Sequence, residues 1–138
     1  MILTSEIAES IALRTASIYL RDDDIVCIRL KDNADIVLKD SKEMCATVKS
    51  LSGGEKKPVL VLTGSGGTIT DEVRKFSASK EAADASLAEA IVAKSLAHKL
   101  AANFLIKFID MGRPMKLFTN EEEAVLWLNK MRFEQYSD

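Results

Sequence analysis

Side chains able to do chemistry are few in this chain, and three of them share one short stretch. Ser65, Thr68 and Thr70 stand in Gly64-Ser65-Gly66-Gly67-Thr68-Ile69-Thr70, directly before Asp71 and Glu72. A hydroxyl at a helix start can accept a backbone N–H bond. It can also carry a phosphoryl group there, because unpaired amides and the positive end of the helix dipole favour an anion. Asp71 and Glu72 oppose the second role, since they would repel a phosphate. The preferred reading is therefore that Thr68 or Thr70 caps the helix. Phosphorylation of Ser65, Thr68 or Thr70, switching a partner surface, is the competing one. The glycines match no nucleotide fingerprint. A Walker loop needs a lysine before the Ser or Thr, and a Rossmann turn needs glycine where Ile69 stands. Free amides at this helix start could still hold an anion, but a structural turn is the simpler expectation.

The remaining reactive groups lack partners in the sequence. His98, the one histidine, neighbours Lys99 on what reads as an exposed helical face, with no nucleophile or carboxylate at a telling spacing. Cys27 and Cys45 form no Cys-x-x-Cys pair and read as buried thiols. Asp22-Asp23-Asp24 lacks the alternating ligands and distal glutamate of a calcium loop, so it reads as a solvated turn. Glu121 to Glu123 fit the first turn of a helix, where the dipole favours anions. The expectation is no catalytic residue, no metal site and no cofactor.

The elements that would position the hydroxyl stretch are clearer. Val59 to Leu62 is an unbroken apolar run, the pattern of a central strand covered on both faces. Upstream, Thr15 to Leu20 and Ile25 to Leu30 alternate and are separated by a short polar break, which predicts an antiparallel hairpin. Asp40 to Leu51 reads as a helix, with Asp40 and Glu43 at capping-box spacing and Gly53-Gly54 after its end. Downstream come a short helix over Asp71 to Ala78, a polar segment to Ser86 that continues the helix or loops out, and a strand over Leu87 to Ala93. A helix capped by Ser95 follows over Leu96 to Ile109, then a strand over Met115 to Phe118. A last helix is capped by Asn120, with Ala124, Val125, Leu128 and Met131 as its buried stripe and a frayed tail from Phe133. Strands alternating with helices after a hairpin predict an α/β fold with a mainly parallel sheet.

Composition narrows the function. With 138 residues, 47% hydrophobic and 29% charged, the chain suits one folded domain over residues 15–138. Residues 1–14 read as an N-terminal arm or a strand extension. A net charge of −2 argues against non-specific nucleic-acid binding, which needs a concentrated basic surface. No stretch reaches the length of a membrane span, and the start lacks a basic region ahead of an apolar core, so a cytoplasmic location is expected.

The stretches PVLVLTGSGGTITDEVRKF, AIVAKSLAHKLAANFLIKF and MKLFTNEEEAVLWL, in this order of elements, resemble bacterial SpoIIAA-like proteins of the STAS class, in particular a branch of small stand-alone domains. The resemblance runs from about Thr15 to Met131. It implies a β-α superhelical core with an added antiparallel strand, and a non-enzymatic regulatory or interaction role. Antagonists of anti-sigma factors in this class carry a phosphorylated serine within an Asp-Ser-Ser-Gly-like motif at the helix after the central strand. Here that position reads Thr68-Ile69-Thr70-Asp71, which departs from the motif. Lipid-binding proteins related in fold use an apolar pocket. The leading expectation is thus a protein-interaction module presenting Gly64 to Phe76 to a protein partner. The alternative is a domain binding a small apolar ligand in a pocket lined from Phe104, Phe108 and Phe118. The wide apolar stripe of Leu96 to Ile109 further suggests a homodimer.

Overall fold

The computed structural model describes residues 10–136. Six strands form one sheet in the order β1 (Ile11–Ala12), β2 (Ala16–Leu20), β3 (Val26–Leu30), β5 (Val59–Leu62), β7 (Glu89–Val92) and β8 (Met115–Phe118). β1, β2 and β3 pair antiparallel, with Ile18 opposite Ile28. From β3 onward every pairing is parallel. The hairpin and the parallel sheet are as the alternation and the unbroken apolar run predict. β5 lies inside the sheet, and all four of its residues are buried.

The helices follow from the strand order. β3, β5, β7 and β8 are laid down one after another in a single direction. Right-handed crossovers then deliver every connecting helix to the same face of the sheet. These are α1 (Leu38–Ser52), the pair α2 (Asp71–Ser77) and α3 (Lys80–Ala83), and α4 (Leu96–Phe108). The opposite face is left to α5 (Glu121–Tyr136), which comes after the last strand. Alternate residues of β5 serve the two layers. Val59 and Val61 face α1, with Ile18, Ile28, Cys45 and Val48. Leu60 and Leu62 face α5, with Ala90, Val92, Ala124 and Leu128.

Several boundaries differ from the sequence reading for local reasons. α1 begins at Leu38 rather than Asp40, with Val37 as an extended N-cap residue. Asp40 sits in the first turn, where its carboxylate accepts the Val37 amide at 2.9 Å and is gripped by Arg14. Asp40 thus serves as the third residue of the helix and holds the Val37 amide, so the helix starts two residues before it. The polar segment after α2 neither continues nor loops out. Ser79 accepts from the Ala82 amide and restarts one turn of helix, α3. α5 continues to Tyr136 instead of fraying from Phe133. The two-residue strands β1, β4 (Asp35–Ile36) and β6 (Thr68–Ile69) are too short to leave a periodic signal. Of the expected N-terminal arm, residues 1–9 lie outside the described residues.

Candidate functional site

β5 ends at the glycine turn, and its neighbour across the sheet explains the glycines. A Cβ on Gly64 would lie 2.8 Å from both the Asp32 side chain and the Lys31 carbonyl oxygen. On Gly67, at φ +88°, it would lie 2.2 Å from the Ala34 carbonyl oxygen. The turn is therefore pressed against residues 31–35, and only glycine permits that approach. Two amides of the turn are engaged in this contact. Ser65 N–H donates to Asp32 Oδ1 at 2.8 Å, and Thr68 N–H donates to the Ala34 carbonyl at 3.0 Å. Next to it, β4 and β6 pair in parallel as a small second sheet. The geometry is that of a structural turn.

The three hydroxyls have different surroundings. Thr70 is the N-cap of α2, its Oγ1 accepting from Val73 N–H at 3.2 Å. Thr68 donates its hydroxyl to Asp35 Oδ1 at 2.8 Å, tying β6 to β4. Ser65 is exposed at the apex. A phosphate on Thr70 would remove the cap, and one on Thr68 would face Asp35. Ser65 is the hydroxyl that a modification could reach at least structural cost.

His98 connects this turn to α4. Its Nε2 lies 3.0 Å from the Gly66 carbonyl oxygen, which can only accept, so Nε2 carries the proton. Nδ1 is buried without a hydrogen-bond partner. The ring thus pins the start of α4 to the turn, beside the Ser95 side chain that caps the same helix.

Below α4 lies a cavity of about 580 Å³, within the range of small-ligand sites. Met44, Cys45 and Val48 of α1 form one wall, Val61 and Ile91 of the sheet the floor, and Ala101 and Leu105 of α4 the roof. Its origin is legible in side-chain size. α2 has only seven residues before Ser79 interrupts it, and α4 buries the small Ala102, with Ala97 and Ala101 exposed along the cavity mouth. Three crossover helices share one face, yet small side chains stand where larger ones would be needed to fill it. α4 consequently buries only Ala102, and its main contact is with the edge strand β8.

Besides His98 and Cys45, the ionisable residues bordering the cavity are Lys31, Arg74, Arg113 and Glu89. Glu89 and Arg113 satisfy one another. Arg113 donates to the Glu89 carboxylate at 2.7 and 3.1 Å and to the carbonyls of Ser77 and Met111 at 2.7 and 2.8 Å. Such a fully bonded pair locks β7, α2 and the β8 approach together. Cys45 lines the same space, and burial pushes its thiol up.

The apolar pocket expected from Phe104, Phe108 and Phe118 is not where the cavity lies. Phe104 and Phe108 stack at 5.3 Å on the outer side of α4, 55% and 73% exposed. Phe118 points to the opposite face of the sheet, against Trp127 at 5.8 Å. Within the apolar stripe of this helix, Leu100, Phe104 and Phe108 are exposed and Leu105 is half-buried against the cavity. A run of apolar residues covering most of a helix does not reveal which arc faces inward. Ala102 is the buried residue of α4, with Leu105 and Ile106 half-buried on either side of it, whereas Ala97 and Ala101 are exposed at the cavity mouth.

The other reactive groups are structural. Cys27 and Cys45 are free and buried, and burial raises both thiols. Asp23 and Asp24 of the hairpin turn pair with Arg21 and Lys57, and their carbonyls accept from Arg132. No group of three or more His, Cys, Asp or Glu that could hold a metal ion occurs among the described residues.

A hairpin followed by consecutive parallel β-α units, all crossing on one face, defines a SpoIIAA-like fold. A crystal structure from Shewanella loihica PV-4 shares it: an uncharacterized protein of the DUF3478 family with a SpoIIAA-like fold. It matches with a TM-score of 0.58 and 19% sequence identity over 86% of this chain and 98% of the other. Residues 18–132 match the domain of unknown function DUF7793, and the chain belongs to that family. No curated protein matches.

Proposed function

We propose that this chain is a non-enzymatic binding module that takes a small apolar ligand into the cavity beneath α4. The observation that carries this reading is the cavity itself. It has apolar walls on the sheet, α1 and α4, and its roof is held at one end by the single His98–Gly66 bond described above. An open space of this size leaves apolar wall in contact with water unless a ligand covers it. Through His98, occupancy would be felt at the glycine turn, which gives the module a regulatory output. The test is native mass spectrometry of the protein purified without detergent from cells that produce it. A retained small molecule, released on denaturation into an organic phase, is the expected result. Bare protein that also fails to bind apolar probes would overturn the reading.

A second reading, a protein-interaction module, is supported by the exposed turn. Ser65, Gly66, Gly67 and Thr68 all face solvent on a frame fixed by residues 31–35. In this reading a partner docks over Gly64 to Phe76, and Ser65 is the residue through which phosphorylation would block it. Partner recovery by wild type and a Ser65→Glu variant of equal melting temperature tests it. Equal recovery would count against a switch at Ser65.

A further inference from the structure

We infer that a ligand enters the cavity through the slot between α2 and α4, and that His98 sets the width of that slot. The inference rests on the ligand-binding reading above. Three sides of the cavity are tightly built. At the glycine turn, the backbone is pressed against residues 31–35. On the α1 side, Cys45 and Val48 are buried and α1 packs against α2. At the far end, Met111 is buried and Arg113 is bonded to Glu89. The fourth side is different. α2 packs against α1 and α3, whereas α4 packs against β8. On α4, Ala97, Ala101 and Leu105 follow one another at four-residue spacing and line the cavity. The two alanines are exposed. Their side chains are too short to interlock with Val73, Arg74 and Ser77, which line the same space from α2.

Two hydrogen bonds frame this slot, and they are unequally supported. At one end Arg113 donates to the Ser77 carbonyl at 2.7 Å, and the same guanidinium is held by Glu89 and by the Met111 carbonyl. At the other end His98 Nε2–H donates to the Gly66 carbonyl at 3.0 Å, tying the first turn of α4 to the turn that leads into α2. The second ring nitrogen of His98 has no hydrogen-bond partner. Gly66 itself is held in place, because the Ser65 and Thr68 amides on either side are bonded to Asp32 and Ala34. Loss of the His98 bond therefore frees the helix and not the turn. Ser95, Leu96 and Ala97, which would move with it, are exposed. The slot thus widens at its His98 end, and His98 is a positioning residue for passage. Phe104 and Phe108, three residues after Ala101 and Leu105, extend the α4 lip outward as apolar surface. An apolar ligand leaving water meets that surface before it reaches the cavity.

The experiment is stopped-flow mixing of the full chain with a fluorescent long-chain fatty acid, with association and dissociation read separately. A residue that acts on the passage changes both rates in the same proportion. Ala97→Phe, which narrows the slot from an exposed position, should slow both by about fivefold or more. His98→Ala should speed both by a similar factor. His98→Gln keeps a donor for the Gly66 carbonyl and should restore the parental rates. Ala97→Phe should also melt with the parent, so it decides the matter even if His98→Ala loosens the fold. Parental rates in Ala97→Phe overturn the inference and leave the ligand reading standing. So does a His98→Gln variant as fast as His98→Ala. A change in dissociation alone overturns it as well, since Ala97 would then touch the bound ligand rather than stand in its path. A parent that binds no probe overturns both the inference and the reading beneath it.

Discussion

The two faces of this sheet are made from the same strands and are packed in opposite ways. On the α5 face, Leu60, Ala88, Ala90, Ala124 and Leu128 are fully buried, and small residues on β7 let one helix sit close. On the crossover face, three connections compete for one surface, α2 is cut short, and α4 buries only Ala102, leaving an open cavity. The α5 face shows how apolar burial holds the fold together. The crossover face shows where the fold gives up packing, and such a departure from a filled core is where binding is to be sought.

The largest effect expected from this contrast comes from neighbouring residues on β5. Leu60→Asp places a carboxylate in the closed layer, with no partner and no water, and should unfold the protein by costing several kcal/mol. Val61→Asp, one residue on, faces the cavity, where water can reach it, and should cost distinctly less. Equal losses in urea unfolding would show that the two faces are equally closed.

Truncation sharpens the same comparison at smaller scale. Leu128→Ala on α5 should cost about 2–5 kcal/mol. Leu105→Ala on α4 borders space that already exists and should cost less than about 1.5 kcal/mol. Amide exchange should follow the same order, with α4 exchanging through local opening well before α5. If α4 proved as protected as α5, the looseness assigned to its face would be wrong.

Caps and ion pairs give the smallest effects. Thr70→Ala removes the α2 cap and should cost about 1 kcal/mol in chemical unfolding, without moving the α5 face. Asp40 is held below the usual carboxylate range, first by the Arg14 hydrogen bonds and then by the Val37 amide. A depressed carboxyl stabilises the fold above its unfolded pKa of about 3.9 and loses that contribution as pH falls towards its folded value. Acid unfolding of Asp40→Asn should therefore be flatter than that of the parent below about pH 4. Parallel acid limbs would show that this ion pair contributes nothing.

Much of the fold was legible because it rests on local pattern. The unbroken run Val59 to Leu62 signalled a strand covered on both faces, and the alternation in Thr15 to Leu30 signalled the hairpin. Ser95 and Asn120 announced the starts of α4 and α5, and both side chains accept the amides three residues on. The start of α1 falls two residues before the expected one because Asp40 accepts the Val37 amide from the third helical position rather than standing at the cap. The site was less legible for another reason. Apolar residues cover most of α4, so periodicity alone gave no inward direction, and the phenylalanines looked like the lining. The cavity belongs to Ala97, Ala101, Met44 and Ile91, residues from separate elements that only the crossover topology assembles.

The central claim is that the space beneath α4, and not its outer face, holds an apolar ligand. Titration with a fluorescent long-chain fatty acid tests it most directly, using the parent, Ala101→Trp to fill the cavity, and Phe104→Ser/Phe108→Ser to strip the outer face. The account predicts saturable binding at about one molecule per chain. Ala101→Trp should abolish that binding at unchanged melting temperature, and the outer-face variant should retain it. Binding that survives Ala101→Trp but disappears with the two phenylalanines would contradict the claim, as would the absence of any saturable binding.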